Sequence, residues 1–474
     1  AAAASGGERM MSVAEAARAL QARISVPNLD RTAADRLRFH SVSTDSRNID
    51  QGALFIALRG DRFDGHAFIG AVGERGAVAA IVDEESVQSL AAQKDLSLVL
   101  IIVADTRRAL GRLAAYWRGK FDIPLIAVTG SNGKTTVKEM IAAILRAHYG
   151  SEHTLSTAGN FNNDIGLPLT LLRLRTGHTC AVVEIGMNHP GETRELAAIA
   201  RPTVALINNA QREHQEFMTS VEEVAREHGS LFESLAENGV AVINADDDYA
   251  AYWRGLNAGR TIRDFGVDHP AAVHGNYQFR DFGSEIVLTA PEGGTRFELG
   301  VAGLHNVRNA MAAAAAATAA GASLDAVAAG LSSFAAVKGR LQRKASRNGA
   351  VVIDDTYNAN PDSVRAAIDV LALCPSLRVL VLGDMGEVGE AGPAFHREIG
   401  THARTRGIDR LVTLGDMTTH ATAAFGEHGL HAASFEELLQ AVRSSDRPGT
   451  TYLVKGSRFM RMERAVEALT GEKA

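Results

Sequence analysis

Thr129-Gly130-Ser131-Asn132-Gly133-Lys134-Thr135-Thr136 stands between an apolar run and a helical stretch that begins near Val137. A strand-to-helix turn of this composition suits phosphate chemistry. Gly130 and Gly133 let backbone N–H groups close around an anion, and the helix N-terminus adds positive potential. Lys134 reaches terminal phosphates, the Thr135 hydroxyl can bind magnesium, and Ser131, Asn132 and Thr136 complete the loop. The two glycines are closer together than in the common GxxxxGK[ST] pattern, so the loop is a variant of that motif. A plain glycine-rich turn would not require Gly-Lys-Thr at this junction.

Other polar residues follow apolar runs in the same way. Glu184 ends Val183-Glu184-Ile185-Gly186, where magnesium between nucleotide phosphates needs a hard oxygen ligand; a solvated strand end is the alternative. His214, just past another run, is either structural or a metal ligand sharing an edge with Lys134 and Glu184. Asn160, Asn162 and Asn163 carry donors and acceptors suited to an amide-rich or sugar-like substrate, or else form Asx turns. Asn306 and Asn309 are three apart at the start of an alanine-rich helix and could read an adenine edge, unless Asn306 caps that helix. The segments Asp354 to Pro361 and Lys455 to Arg458 close later strands at the ligand-binding edge; surface loops would explain either one, though less easily both.

These residues need strands to carry them. PLIAVTG, CAVVEIGM, TVALINNA and GVAVINADD read as buried parallel strands separated by helices, a doubly wound sheet that binds ligands beyond its carboxyl edge. Before them, Ala53 to Leu58, Val78 to Val82 and Leu98 to Val103 form a small α/β unit, and Arg108 to Gly119 reads as a connecting amphipathic helix. Thr261 to Ala302 alternates in polarity and is expected to add antiparallel strands. The tract Asn309 to Gly330 reads as two packed helices, with Gly321 stopping one and Ser323 capping the next. After Lys338 a second α/β series begins with AVVIDDTY, RVLVLGDM, RLVTLG and TYLVKGS. The fold class is therefore α/β with three domains, over 1–107, 108–337 and 338–474, the last Rossmann-like.

The 474 residues suit about three domains. With 46% hydrophobic and 22% charged residues the chain is globular in composition. A net charge of −6 disfavours a nucleic-acid binder, so any polyanionic ligand must be met by local donors. Cys180 and Cys374 are far apart, which fits a reducing cytoplasm and no thiolate metal site. Ala1 to Gly7 does not read as a signal peptide, and the apolar stretch Leu96 to Ala104 is too short to span a membrane, so a soluble cytoplasmic protein is expected.

With these motifs in order, the chain resembles the Mur ligases of peptidoglycan synthesis over nearly its whole length. The resemblance rests on Thr44-Asp45-Ser46-Arg47, GDRFDGHAF, TGSNGKTT, GNFNNDIGLP, EIGMNHPGE, GLHNVRN and Lys338-Gly339-Arg340, then DDTYNANPDS, LGDMGEVG and VKGSRFMRME. It implies ATP-dependent, ADP-forming amide ligation through an acyl phosphate, with ATP and Mg2+ as cofactors. The last three motifs imply UDP-N-acetylmuramoyl-tripeptide and D-alanyl-D-alanine as substrates rather than a single amino acid. By resemblance, Thr44, Asp45, Ser46, Arg47, Asp64, Gly65 and His66 hold the UDP-sugar end. Thr135 and Glu184 hold one metal and His214 a second, Asn306 and Asn309 hold adenine, and Arg340, Asp355 and Tyr357 bring the C-terminal domain onto ATP. Asn160, Asn162, Asn163, Asn358, Asn360, Lys455, Ser457 and Arg458 are expected at the substrates, and a monomer is expected.

Many Mur ligases carry a carbamylated lysine whose carboxylate helps hold the second magnesium; here that position aligns with His228, and no lysine lies between Ser220 and Phe232. Histidine forms no such stable carbamate, so the second metal is expected to be held by His214, substrate and ATP oxygens and water, with His228 giving at most a hydrogen bond to one of those ligands. Two other readings compete: a folylpolyglutamate synthetase-like ligase, which should lack the UDP-binding domain, and a non-catalytic protein whose domains ATP closes.

Overall fold

The computed structural model describes residues 9–26, 36–91, 98–375 and 377–472. The lead Ala1 to Gly7 and the first two residues of the stretch Leu96 to Ala104 lie outside them. Three large sheets organise the chain, and each carries its strands in mainly parallel order.

The central sheet has nine strands. Leu125–Thr129 lies between Cys180–Glu184 and Val204–Ile207, both parallel to it, so the chain leaves this strand toward one side and later returns to the other. This is the topological switch point at which such sheets open a crevice. All four expected strands form, and a fifth, Thr154–Ser156, joins the edge beside Cys180–Glu184. Only three residues long and largely polar, it gave no apolar signal.

Alternate residues of the switch strand feed two cores. Ile126 and Val128 pack with Ile141, Leu145 and the alanines of Leu304–Ala319, whereas Leu125 and Ala127 pack with Leu110, Leu113, Leu167 and Leu196. Helix Leu304–Ala319 is buried along most of its length, and alanine allows the close approach this requires. Gly321 turns left-handed with φ of 96°, and Ser323 caps Leu324–Ser332 by accepting from the Ala326 N–H, as the two-helix reading anticipates.

Several expectations need correction. The helix after the phosphate loop begins at Lys134, not near Val137, because left-handed Gly133 caps it directly. The connecting helix runs Thr106–Arg118, capped by Asp105, so it starts two residues earlier than its apolar pattern. In the stretch Thr261 to Ala302, Thr261–Gly266 is parallel to Val240–Asn244, and Val273–Arg280 begins parallel to it. Only Val273–Arg280, Gly283–Ala290 and Gly293–Leu299 pair antiparallel with one another.

The N-terminal sheet is built on Leu54–Ile56, Ala79–Asp83 and Val99–Val103, and part of its core merges with the central one around helix Thr106–Arg118. The C-terminal sheet of six strands centres on Val351–Asp355, Thr451–Lys455 and Arg378–Gly383, all parallel. Among the described residues no helix is long and apolar enough to cross a membrane.

Candidate active site

The carboxyl edges of the central and C-terminal sheets face one cavity of about 1310 Å³. Its wall begins with the phosphate loop. Gly133 adopts φ of 81°, and a Cβ there would lie 2.6 Å from Asn309 Oδ1 and 2.8 Å from Asn208 Nδ2, so only glycine fits. The loop is held from behind by the next strand's exit: Asn209 Oδ1 accepts from the Asn132 N–H at 2.8 Å, and Asn208 Nδ2 donates to Asn132 O at 2.8 Å. Asn208 and Asn209 had no motif to mark them, since their partners lie 76 and 77 residues away.

Lys134 Nζ donates back to Gly130 O at 2.5 Å and Ser131 O at 3.2 Å, and lies 3.5 Å from Glu213 Oε2. Thr135 Oγ1 accepts from Arg340 Nη2 at 2.9 Å, and the Arg340 guanidinium stacks 4.2 Å above the Tyr357 ring. Ser131 and Thr136 also line the cavity.

Glu184 is buried to 1% exposure. Its Oε1 accepts from Asn162 Nδ2 at 2.8 Å, while Oε2 is buried without a hydrogen-bond partner. A buried carboxylate oxygen with no donor is costly unless a cation meets it, so the donor set fits magnesium. Among the described residues no three His, Cys, Asp or Glu side chains converge as a metal cage. Magnesium does not ask for one, because it usually takes one or two carboxylates with phosphate and water.

His214 and Glu387 meet across the cavity with Nδ1 to Oε2 at 2.5 Å, both on left-handed backbone with φ of 48° and 57°. Left-handed non-glycine residues of this kind concentrate at functional sites. Glu213 went unremarked in the sequence, yet it is buried at the centre of the cluster. Its Oε1 lies 3.0 Å from His228 Nε2, and its Oε2 3.7 Å from His214 Nε2. Burial pushes its pKa up, but Lys134, His228 and His214 outweigh that and hold it at about 2. Burial pushes the fully enclosed His228 down against the pull of Glu213; its Nε2 lies on Glu213 and its Nδ1 faces Thr129 Oγ1 at 3.2 Å. His228 does not line the cavity.

Asn160, Asn162 and Asn163 reach the cavity on one loop, where Asn163 Oδ1 also accepts from the Ile165 N–H at 3.2 Å in an Asx turn. Asn306 and Asn309 line it from one helix face; Gly303 occupies the cap position, so Asn306 is not the cap. From the C-terminal sheet come Asp355, Tyr357, Asn358, Asn360, Lys455, Ser457 and Arg458. Asn360 Nδ2 donates to Asn132 Oδ1 at 2.8 Å, joining the two domains at the phosphate loop.

Three residues expected at the ligands already have side-chain partners. Lys455 Nζ is spent on Asp355 Oδ2 at 2.6 Å in a buried pair, and Asp355 Oδ1 accepts from the Leu341 N–H, so the pair fixes the strand beside Arg340. His66 is buried with Nδ1 on Asp64 at 2.6 Å and Nε2 accepting from the Asp83 N–H, which makes it a support for Asp64. Thr44, Asp45, Ser46, Arg47, Asp64, Gly65 and His66 do not line the main cavity; they lie on the N-terminal unit.

Family models agree with this architecture: the Mur ligase middle domain matches residues 128–317, the Mur ligase glutamate ligase domain 339–458 and the Mur ligase family catalytic domain 38–118. The UDP-N-acetylmuramoyl-tripeptide--D-alanyl-D-alanine ligase of Escherichia coli strain K12 is 40% identical over 90% of this chain and 93% of its own. The chain belongs to the Mur ligase family. Like the other members it is an ATP-dependent, ADP-forming peptide ligase. This Mur ligase superposes on the crystal structure of MurF from Acinetobacter baumannii with a TM-score of 0.87 at 33% identity, covering 98% and 99% of the two chains. A MurF ligase from Thermotoga maritima, solved in complex with ADP, gives 0.79 at 25% identity over 90% of this chain and 96% of that one.

Proposed function

We propose that this Mur ligase joins D-alanyl-D-alanine to UDP-N-acetylmuramoyl-tripeptide, the step that completes the pentapeptide precursor of peptidoglycan. The observation that carries the reading is the convergence of Lys134, Glu184, His214 and Arg340 on one cavity from two domains. In the first step the tripeptide carboxylate oxygen attacks the γ-phosphorus of ATP. The bond to the β-phosphate oxygen breaks, giving an acyl phosphate and ADP. In the second step the dipeptide amine attacks the acyl carbon, loses a proton and expels phosphate.

Such a reaction needs positioning and charge neutralisation more than covalent help. Lys134 and Arg340 supply positive charge at the transferring group, and the loop N–H groups of Gly130 to Thr136 cradle the phosphates. Thr135 and Glu184 would hold one magnesium ion and His214 a second. Bound there, magnesium neutralises phosphate charge. Asn306 and Asn309 face the adenine, Asn160, Asn162 and Asn163 the tripeptide, and Asn358, Ser457 and Arg458 the dipeptide.

We read residues 1–107 as the UDP-binding domain, 108–337 as the ATP-binding domain and 338–474 as the closing domain, in a monomeric cytoplasmic enzyme. The free thiols Cys180 and Cys374 suit a reducing compartment. The N-terminal sheet, matched by its own family model, speaks against a folylpolyglutamate synthetase-like activity. Incubation with ATP, the UDP-tripeptide and the dipeptide tests the reading. Equimolar ADP, phosphate and pentapeptide support it, whereas nucleotide binding without product supports a gated binding protein.

A further inference from the structure

Glu213 is a buried carboxylate in the cavity wall, and its two oxygens are treated differently. Oε1 is anchored from below by His228 Nε2 at 3.0 Å, and His228 is itself fully enclosed, so the anchor cannot swing. Oε2 points to the cavity side, 3.5 Å from Lys134 Nζ and 3.7 Å from His214 Nε2. Both are long for a hydrogen bond, so Oε2 is attended by charge but not bound. When Lys134 turns to nucleotide phosphates, Oε2 is left beside the His214 imidazole as a hard anionic oxygen. An imidazole alone is a poor magnesium ligand, and a carboxylate beside it supplies what the ion prefers.

We propose that Glu213, held in place by His228, is the protein's anionic ligand to the second magnesium, beside His214. The inference rests on the ligase reading above. It gives the His228 position a role: the enclosed imidazole there orients a carboxylate from the neighbouring strand exit, where a carbamylated lysine would have to bring its own. The site then needs no carbon dioxide.

The test counts Mn2+ bound to the full chain by electron paramagnetic resonance, with a non-hydrolysable ATP analogue and the UDP-tripeptide present. Wild type should bind two ions per chain, equally with and without bicarbonate. Glu213→Gln, folded with a wild-type circular dichroism spectrum at the assay temperature, should keep one ion and bind the other about 10–100-fold more weakly. Two ions held undiminished by Glu213→Gln, or a wild-type second ion lost when carbon dioxide is removed, would overturn the proposal. If Glu213→Gln does not fold, anomalous scattering from Mn2+ in wild-type crystals decides: density must lie at coordination distance from Glu213 Oε2, and its absence there refutes the assignment. Because the analogue is not turned over, these readouts stay separate from the ligase reading, which fails only if wild type makes no ADP and pentapeptide.

Discussion

Lys134 is the only basic residue in the phosphate loop, and the structure places its ammonium on loop carbonyls within reach of the cavity. Lys134→Ala should lower kcat on the order of 10²–10³-fold while leaving the melting temperature nearly unchanged, read by ADP release and calorimetry. Gly133→Ala should behave differently, because the new Cβ meets Asn309 Oδ1 and the left-handed backbone resists it. A loss of about 1–3 kcal/mol in denaturant unfolding and abolished nucleotide binding are expected together. Glu213 gives a pH signature in the metal-free protein. Its folded pKa of about 2 lies below the ordinary 4.5, so its charge stabilises the fold above pH 4.5 and that contribution is lost as pH falls toward 2. Glu213→Gln should be less stable than wild type at pH 7, with the gap closing across that window in urea titrations at stepped pH.

At the scale of elements, the segment Gln211 to His214 leaves the strand Val204–Ile207 and is gripped by the C-terminal domain. Arg212 donates to Asp362 at 2.6 Å and to Glu398 at 2.8 Å, and Asp362 lies in the first turn of helix Pro361–Ala372. The two carboxylates hold the guanidinium firmly protonated, so the fork stays charged at any working pH. This latch ties the position of His214 to the docking of the C-terminal sheet. A double-mutant cycle with Arg212→Gln and Asp362→Asn should give a coupling of about 0.5–3 kcal/mol in domain-sensitive unfolding. Kinetically, Arg212→Gln should raise KM for ATP and lower kcat together, the pattern of a loosened closure rather than a lost binding contact.

The whole molecule brings ligands from distant stretches into one space, and tighter docking of its units is the expected response when substrates fill that space. Asp164 of the asparagine loop pairs with Arg107 at the base of the N-terminal unit, and Asn360 crosses to Asn132 at the phosphate loop. Small-angle scattering should show the radius of gyration fall when nucleotide and UDP-tripeptide are both present, with hinges near Arg107 and Val337. A radius unchanged at saturation would mean that the domains are already docked in the free enzyme.

The sequence by itself determined the strands, because buried parallel strands are short continuous apolar runs that end in polar residues, and it determined the phosphate loop, because backbone chemistry there demands Gly-Lys-Thr. It placed Glu184 and His214 at strand exits for the same reason. Tertiary structure alone decided which neighbours those residues meet. Asn208 and Asn209 brace the loop across the switch point, Lys455 neutralises Asp355 across the strand pairing of the C-terminal sheet, and His66 turns inward to Asp64 and Asp83. Glu213 is the sharpest case. In the sequence it is an unmarked acid fifteen positions before His228, but folding encloses both and sets an imidazole under one of its oxygens. Burial and long-range pairing set the charge and direction of a side chain, and neither leaves a periodic trace along the chain.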